Sequence, residues 1–201
     1  MGVSPLAQRG LDAALGLAVG LWGAGASEAL FEAESGTFTS LAENSTLTAS
    51  GYTFRINYTD GDGNDIVLTL ITSPIEQWRF TNFGSIFNTG PALDTADSDN
   101  DGTANLLEYA TKMNPITNDT VPQSATKNGS GIDFIYTKNK AATDVTITIE
   151  WSDTLLNDWS TSGISAPTVL SDNGITQQIK VTVPAGSGVM KRFVHLKVTR
   201  P

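Results

Sequence analysis

The feature that most constrains this chain is a two-residue alternation of apolar and polar side chains that recurs along it. In YTFRINY (52–58), Tyr52, Phe54, Ile56 and Tyr58 alternate with Thr53, Arg55 and Asn57. In DVTITIEW (144–151), Val145, Ile147, Ile149 and Trp151 share one side, and Thr146, Thr148 and Glu150 share the other. Val194, Leu196 and Val198 repeat the pattern in KRFVHLKVT (191–199). A period of two places successive side chains on opposite faces of a strand, so it predicts antiparallel sheets with one buried face. The expected fold class is therefore mainly β. With 201 residues, 39% of them hydrophobic and 16% charged, the chain has enough apolar material for one or two packed domains.

Four segments follow from the pattern. Residues 29–72 read as a β module. Its strand 52–58 leads through the turn cluster TDGDGN to DIVLTLI (65–71), which is apolar on both faces and so suits an inner strand of a hairpin. Residues 73–118 read as a helical segment. PIEQWRFTNFG carries Pro74 in its first turn and Gly84 at its end, and ANLLEYATKM (104–113) is stopped by Asn114-Pro115. Residues 116–131 read as a polar linker, and 128–201 as an antiparallel β-sandwich with strands at 132–137, 144–151, 175–183 and 191–199. Trp151 and Trp159 are expected to cover the sandwich core and its edge rather than to form a sugar platform. Residues 1–28, rich in Ala, Leu and Gly, allow two readings. One is a signal peptide, with Arg9 as its charged start and 13–24 as its apolar stretch, although Asp12 and several glycines interrupt it. The other is a run left from the upstream part of a longer protein.

Charge and composition exclude several functions. The net charge of −9 and the absence of a basic stripe argue against nucleic acid and suit divalent cations. There is no cysteine, so disulfide and thiolate chemistry are absent. No apolar run reaches the ~20 residues of a membrane span. The single histidine, His195, falls opposite Val194 and Leu196 and faces solvent beside Phe193 and Lys197. No nucleophile motif or phosphate-binding loop accompanies it, and the chain is not expected to be an enzyme.

One stretch does carry chemistry. DSDNDGTANLLE (97–108) places Asp97, Asp99 and Asp101 on alternate positions, Gly102 sixth, Thr103 seventh, Asn105 ninth and Glu108 twelfth. Calcium takes six to eight oxygens, and a twelve-residue loop of EF-hand type supplies them from these positions. The three aspartates offer side chains, Thr103 its backbone carbonyl, Asn105 its amide oxygen directly or through water, and Glu108 both carboxylate oxygens. Four carboxylates gathered without a cation repel, each pair costing on the order of 4 kcal/mol at ~4 Å and an effective dielectric of about 20. Magnesium prefers a tighter octahedron and zinc a softer donor set, so calcium is the expected ion. A second acidic patch, DGDGNDIVL (60–68), resembles a single RTX nonapeptide copy, but such sites form between stacked repeats and a hairpin turn accounts for it.

Two resemblances extend this reading. No incoming helix precedes Asp97, and DSDNDGTANLLEYATKMNP resembles the single calcium loops of thrombospondin type-3-like repeats and dockerins, although a dockerin has two such segments. Residues 36–71, GTFTSLAENSTLTASGYTFRINYTDGDGNDIVLTLI, resemble the final unit of bacterial autotransporter-associated β-strand repeat proteins, with Glu43-Asn44 where glycine is usual. Residues 75–201 resemble the tail module that follows in them. The resemblance implies a β-helix-like rung upstream, a secreted or cell-surface location and a calcium-stabilised C-terminal region without enzymatic activity. The expected role is a calcium-locked joint between β modules. The alternatives are a carbohydrate-binding or adhesion module that meets a cell-surface glycan through Trp159, and a secretion or sorting domain.

Overall fold

Phe54 and Ile56, two residues apart in the first alternating stretch, are fully buried, while Arg55 between them is exposed. They belong to the upstream of two compact units that divide the chain between Thr72 and Ser73. The computed structural model describes residues 28–32, 41–49, 52–58, 65–129, 131–186 and 191–201. The leader-like run before residue 28 and the turn at 59–64, with most of the second acidic patch, lie outside the described residues.

The upstream unit is a four-stranded antiparallel sheet in the order β1-β4-β3-β2, formed by Glu28–Glu32, Thr46–Ala49, Tyr52–Asn57 and Asp65–Ile71. β4 is an inner strand, as its two apolar faces require: Ile66 and Leu68 pack with Phe54 and Ile56, and Val67 is buried on the other face. Every pairing here is antiparallel, as in a hairpin, and none among the described residues is the parallel pairing of a β-helix rung. Asn44, where the resemblance anticipates glycine, has φ 63, and asparagine tolerates that left-handed conformation better than other residues with a side chain.

The second unit begins with α1, Pro74–Phe83. Its capping box is explicit: Ser73 Oγ accepts from the Glu76 amide at 3.4 Å, and Glu76 Oε2 accepts from the Ser73 amide at 2.7 Å. Pro74 opens the helix and Gly84, at φ 69, closes it. A 3₁₀ turn at Gly90–Ala92 and the acidic loop lead into α2, Asn105–Thr111.

The rest is a sandwich. One layer is the four-stranded sheet β5-β6-β9-β8, formed by Gln123–Asn128, Gly131–Asn139, Thr176–Pro184 and Thr168–Asp172. The other is the pair β7 (Thr146–Ser152) and β10 (Phe193–Thr199), joined antiparallel. Phe134, Tyr136, Ile149, Ile179, Val181 and Val183 form the core between them, with Ile147, Trp151, Val194 and Leu196 packed against it. Gly131 is obligatory at the start of β6, since a Cβ there would lie 2.0 Å from the Val183 carbonyl oxygen.

The structure departs from the sequence expectation at two places. The supposed linker 116–131 contains β5, so the sandwich begins at Gln123 and not at residue 128. β8 was not anticipated. Trp159 covers the edge of β7, where Ser160 bridges Trp151, but it does so outside the core cluster, stacked on His195 of β10 with ring centroids 3.8 Å apart. Trp151 does pack on the core, and its Nε1 donates to the Ser162 carbonyl at 2.9 Å.

Candidate metal centre

The acidic loop is closed at its neck by two backbone hydrogen bonds. The Asn105 amide donates to the Ala96 carbonyl at 2.8 Å, and the Leu106 amide to the Asp94 carbonyl at 3.0 Å. The Asn105 side chain reinforces this neck by donating from Nδ2 to the carbonyls of Pro91 and Leu93, each at 2.7 Å. Inside the loop the aspartates order the backbone. Asp97 accepts from the amides of Asp101 (3.1 Å) and Gly102 (2.9 Å), and Asp99 accepts from Asp101 at 3.2 Å. Asp101 Oδ1 accepts from the Thr103 amide at 2.7 Å. The curl requires left-handed backbone at Asn100 (φ 63) and Gly102 (φ 92). A Cβ at Gly102 would meet nothing within 4 Å, so the glycine is needed for its φ and not for space.

These turns gather the carboxylates. Oxygens of Asp97, Asp99 and Asp101 lie within 4.8 Å of one another, and so do oxygens of Asp101, Glu108 and Asp119. Asp99, Asp101, Asp119 and Asp97 all act electrostatically on Glu108, in that order of strength. Of the six residues expected from the sequence, the four carboxylates therefore converge. Thr103 and Asn105 are buried beside them, and Thr103 donates its amide to Asp101. Asp119 was missed. It lies in the stretch read as a linker and reaches the cluster because the chain turns back after Pro115; its amide donates to Asp101 Oδ2 at 3.1 Å. An acidic residue shortly after the Asn114-Pro115 helix stop was the available signal.

The donor set is unsatisfied in a specific way. Glu108 is fully buried, and neither of its carboxylate oxygens has a hydrogen-bond partner. Asp99 Oδ2 and Asn105 Oδ1 are also buried without partners, although the Asn105 amide orientation is fixed by its two carbonyl acceptors. Burying an uncompensated carboxylate costs several kcal/mol, so a proton or a cation has to balance it. Burial, and then the charges of Asp99, Asp101, Asp119 and Asp97, push the Glu108 carboxyl up to about 7 when no ion is present. Burial, and then the Asp101 and Asp97 charges, raise Asp99, outweighing the amide bond from Asp101. Burial would raise Asp101 too, but the amides of Asp119 and Thr103 outweigh it and its carboxyl ends lowered.

Most carboxylates elsewhere in this unit are balanced by bases, while Glu76, Asp144 and Asp158 accept hydrogen bonds from neutral donors. Asp94 binds Arg79 and Arg200, Asp133 binds Lys180, Glu150 binds His195 and Lys197, Asp153 binds Arg192, and Asp172 binds Lys140. Among the described residues none of the five clustered carboxylates has such a basic partner. Anionic and all-oxygen, without a basic partner and with Glu108 buried and unpartnered at its centre, the set fits a hard divalent cation. Residues that would hold calcium are Asp97, Asp99, Asp101 and Glu108 through carboxylates, with Thr103 and Asn105 contributing as the loop spacing prescribes.

The site is also wired into the sandwich. Tyr109, next to Glu108 on α2, is buried and donates its hydroxyl to Asp144 Oδ1 at 2.6 Å. Asp144 Oδ2 accepts from the Ile75 amide at the start of α1 at 3.0 Å. Asn139, at the end of β6, donates to the Tyr109 carbonyl at 2.8 Å. Arg200, just after β10, reaches Asp94 at 2.5 Å. No family model matches the chain, and neither a curated protein nor a solved structure matches it. Among the described residues no helix is long and apolar enough to cross a membrane.

Proposed function

We propose that residues 73–201 form a non-enzymatic structural module of a secreted or cell-surface bacterial protein, in which a calcium ion locks the helical segment onto the terminal sandwich. The observation that carries this reading is Glu108, a fully buried carboxylate with both oxygens unpartnered among four other carboxylates. The ion would neutralise the loop, hold the first turn of α2 and so keep Tyr109 docked on Asp144. A ligand at 100 times its dissociation constant stabilises the bound state by about 2.7 kcal/mol, which extracellular calcium can supply to a site of moderate affinity.

The test is calorimetric titration of the full chain with calcium, followed by thermal melts in calcium and in chelator. A binding isotherm near one ion per chain and a higher melting temperature in calcium support the reading. Identical melting in the two conditions, without measurable heat of binding, overturns it.

A further inference from the structure

Asp119 stands well beyond the loop that ends at Glu108, yet its carboxylate lies within 4.8 Å of those of Asp101 and Glu108. Two hydrogen bonds hold it there. Its own amide donates to Asp101 Oδ2 at 3.1 Å, and its Oδ2 accepts from the Asn114 amide at 3.3 Å, which closes the 114–119 turn. The chain thus spends a turn to bring a fifth negative charge to a cluster already rich in them. Independently, the group that it faces is Glu108, wholly buried, with two oxygens that no donor satisfies. An additional anion beside an unsatisfied buried anion is repulsive unless something positive lies between them.

Resting on the cation-binding reading above, we propose that Asp119 is a direct ligand of the ion and the residue that selects calcium over magnesium. One oxygen each from Asp97, Asp99, Asp101 and the Thr103 carbonyl, with two from Glu108, gives six protein oxygens, and the Asn105 position adds at most one more, directly or as a held water. A carboxylate from Asp119 makes the shell larger still and more anionic, which the larger ion accepts and magnesium does not. Because Asp119 lies after α2 and the loop lies before it, the same ion clasps the helix from both sides. Asp119 is also the exposed member of its trio and lines an open groove with Lys112 and Trp78, so it is the ligand that meets the entering ion.

The experiment uses the full chain and three probes: calcium, magnesium and terbium. Terbium luminescence lifetimes in light and heavy water count the waters left on the bound ion. Asp119→Ala is expected to weaken calcium by roughly tenfold or more. It should also narrow the calcium-to-magnesium preference and add a water to bound terbium. Asp119→Asn keeps an oxygen that can accept from Asn114; it should fold, bind calcium less weakly than the alanine variant, and leave the water count unchanged. If the wild type binds and Asp119→Ala leaves affinity, preference and water count unchanged, Asp119 is not a ligand. The same conclusion follows if the substitution lowers the melting temperature in chelator while preference and water count stay put, since that marks a turn-forming role alone. If the wild type binds none of the three ions, the cation site itself is overturned.

Discussion

Glu108 concentrates the physics of the site in one side chain. Without an ion its carboxyl sits at about 7 in the folded chain, above the ordinary value of 4.5, so the folded state holds the proton more tightly than the unfolded state. Its contribution to stability is therefore complete below about pH 4.5 and is lost as the pH climbs through 7. At most ~3 kcal/mol separates those limits for the shift from 4.5 to about 7. Calcium reverses the sign, because the ion needs the carboxylate and competes with the proton. Melting temperature in chelator is expected to fall between pH 5 and pH 8, and in saturating calcium to stay level over that interval and drop only as the pH is lowered toward 4.5. Glu108→Gln removes the charge that burial penalises, so its melting curve in chelator should lose most of the downward slope and match or exceed the wild type at pH 8. The same variant should gain nothing from calcium. A Glu108→Gln protein that keeps the wild-type slope in chelator would place the origin of the pH dependence elsewhere.

At the scale of elements, α2 has seven residues and cannot stand alone, because helices this short do not recover their nucleation cost in water. It is held by what it docks on: Tyr109 packs with Ile75 and Ala142, with Trp78, Leu106 and Val145 around them. Asp144 joins this docking to the start of α1 by serving both the Tyr109 hydroxyl and the Ile75 amide. Asp144→Ala strands the Ile75 amide and leaves the Tyr109 hydroxyl only its long bond to the Ala141 carbonyl at 3.4 Å, each loss worth roughly 1–3 kcal/mol. Its melting temperature should fall well below that of Tyr109→Phe, which removes only the hydroxyl. Calcium affinity, read by titration, should drop further in Asp144→Ala than in Tyr109→Phe, since Glu108 rides on the same helix. The legibility of this region follows the same division. The loop and both helices can be read from the sequence because their signals are local: Ser73-Pro74 with Glu76, the spacing from Asp97 to Glu108, and Asn114-Pro115. Asp144 cannot, because it acts across a tertiary contact that no spacing encodes, and Asp119 leaves only the faint signal of an acidic residue just after the Asn114-Pro115 stop.

For the whole molecule, the mainly β architecture is legible wherever a strand has one wet and one dry face, as in β3, β7 and β10. β5 and β8 escape because they are the two edges of the larger sheet and nearly every residue in them is exposed, so QSATKN and TVLSD carry no alternation to detect. The consequence of the architecture is long-range. Asp94 at the neck of the loop holds Arg79, itself buried and bonded to the Ala92 carbonyl at 3.2 Å, and also Arg200 beyond the last strand. Closure of the loop is thereby tied to the end of β10, and Asn139 ties it to the end of β6. Hydrogen exchange followed residue by residue tests how far that tie extends. Calcium is expected to slow the amides of 94–119 most, and to slow β6 and β10 by a smaller common factor, because these elements open together. Amides of β3 and β4, in the other unit, should exchange at the same rate with and without the ion. Arg200→Ala should cost at most about 1 kcal/mol as a partly exposed pair, while uncoupling β10 from the calcium effect. Protection confined to 94–119 in the wild type would reduce the ion to a local staple and remove it as the lock on the sandwich.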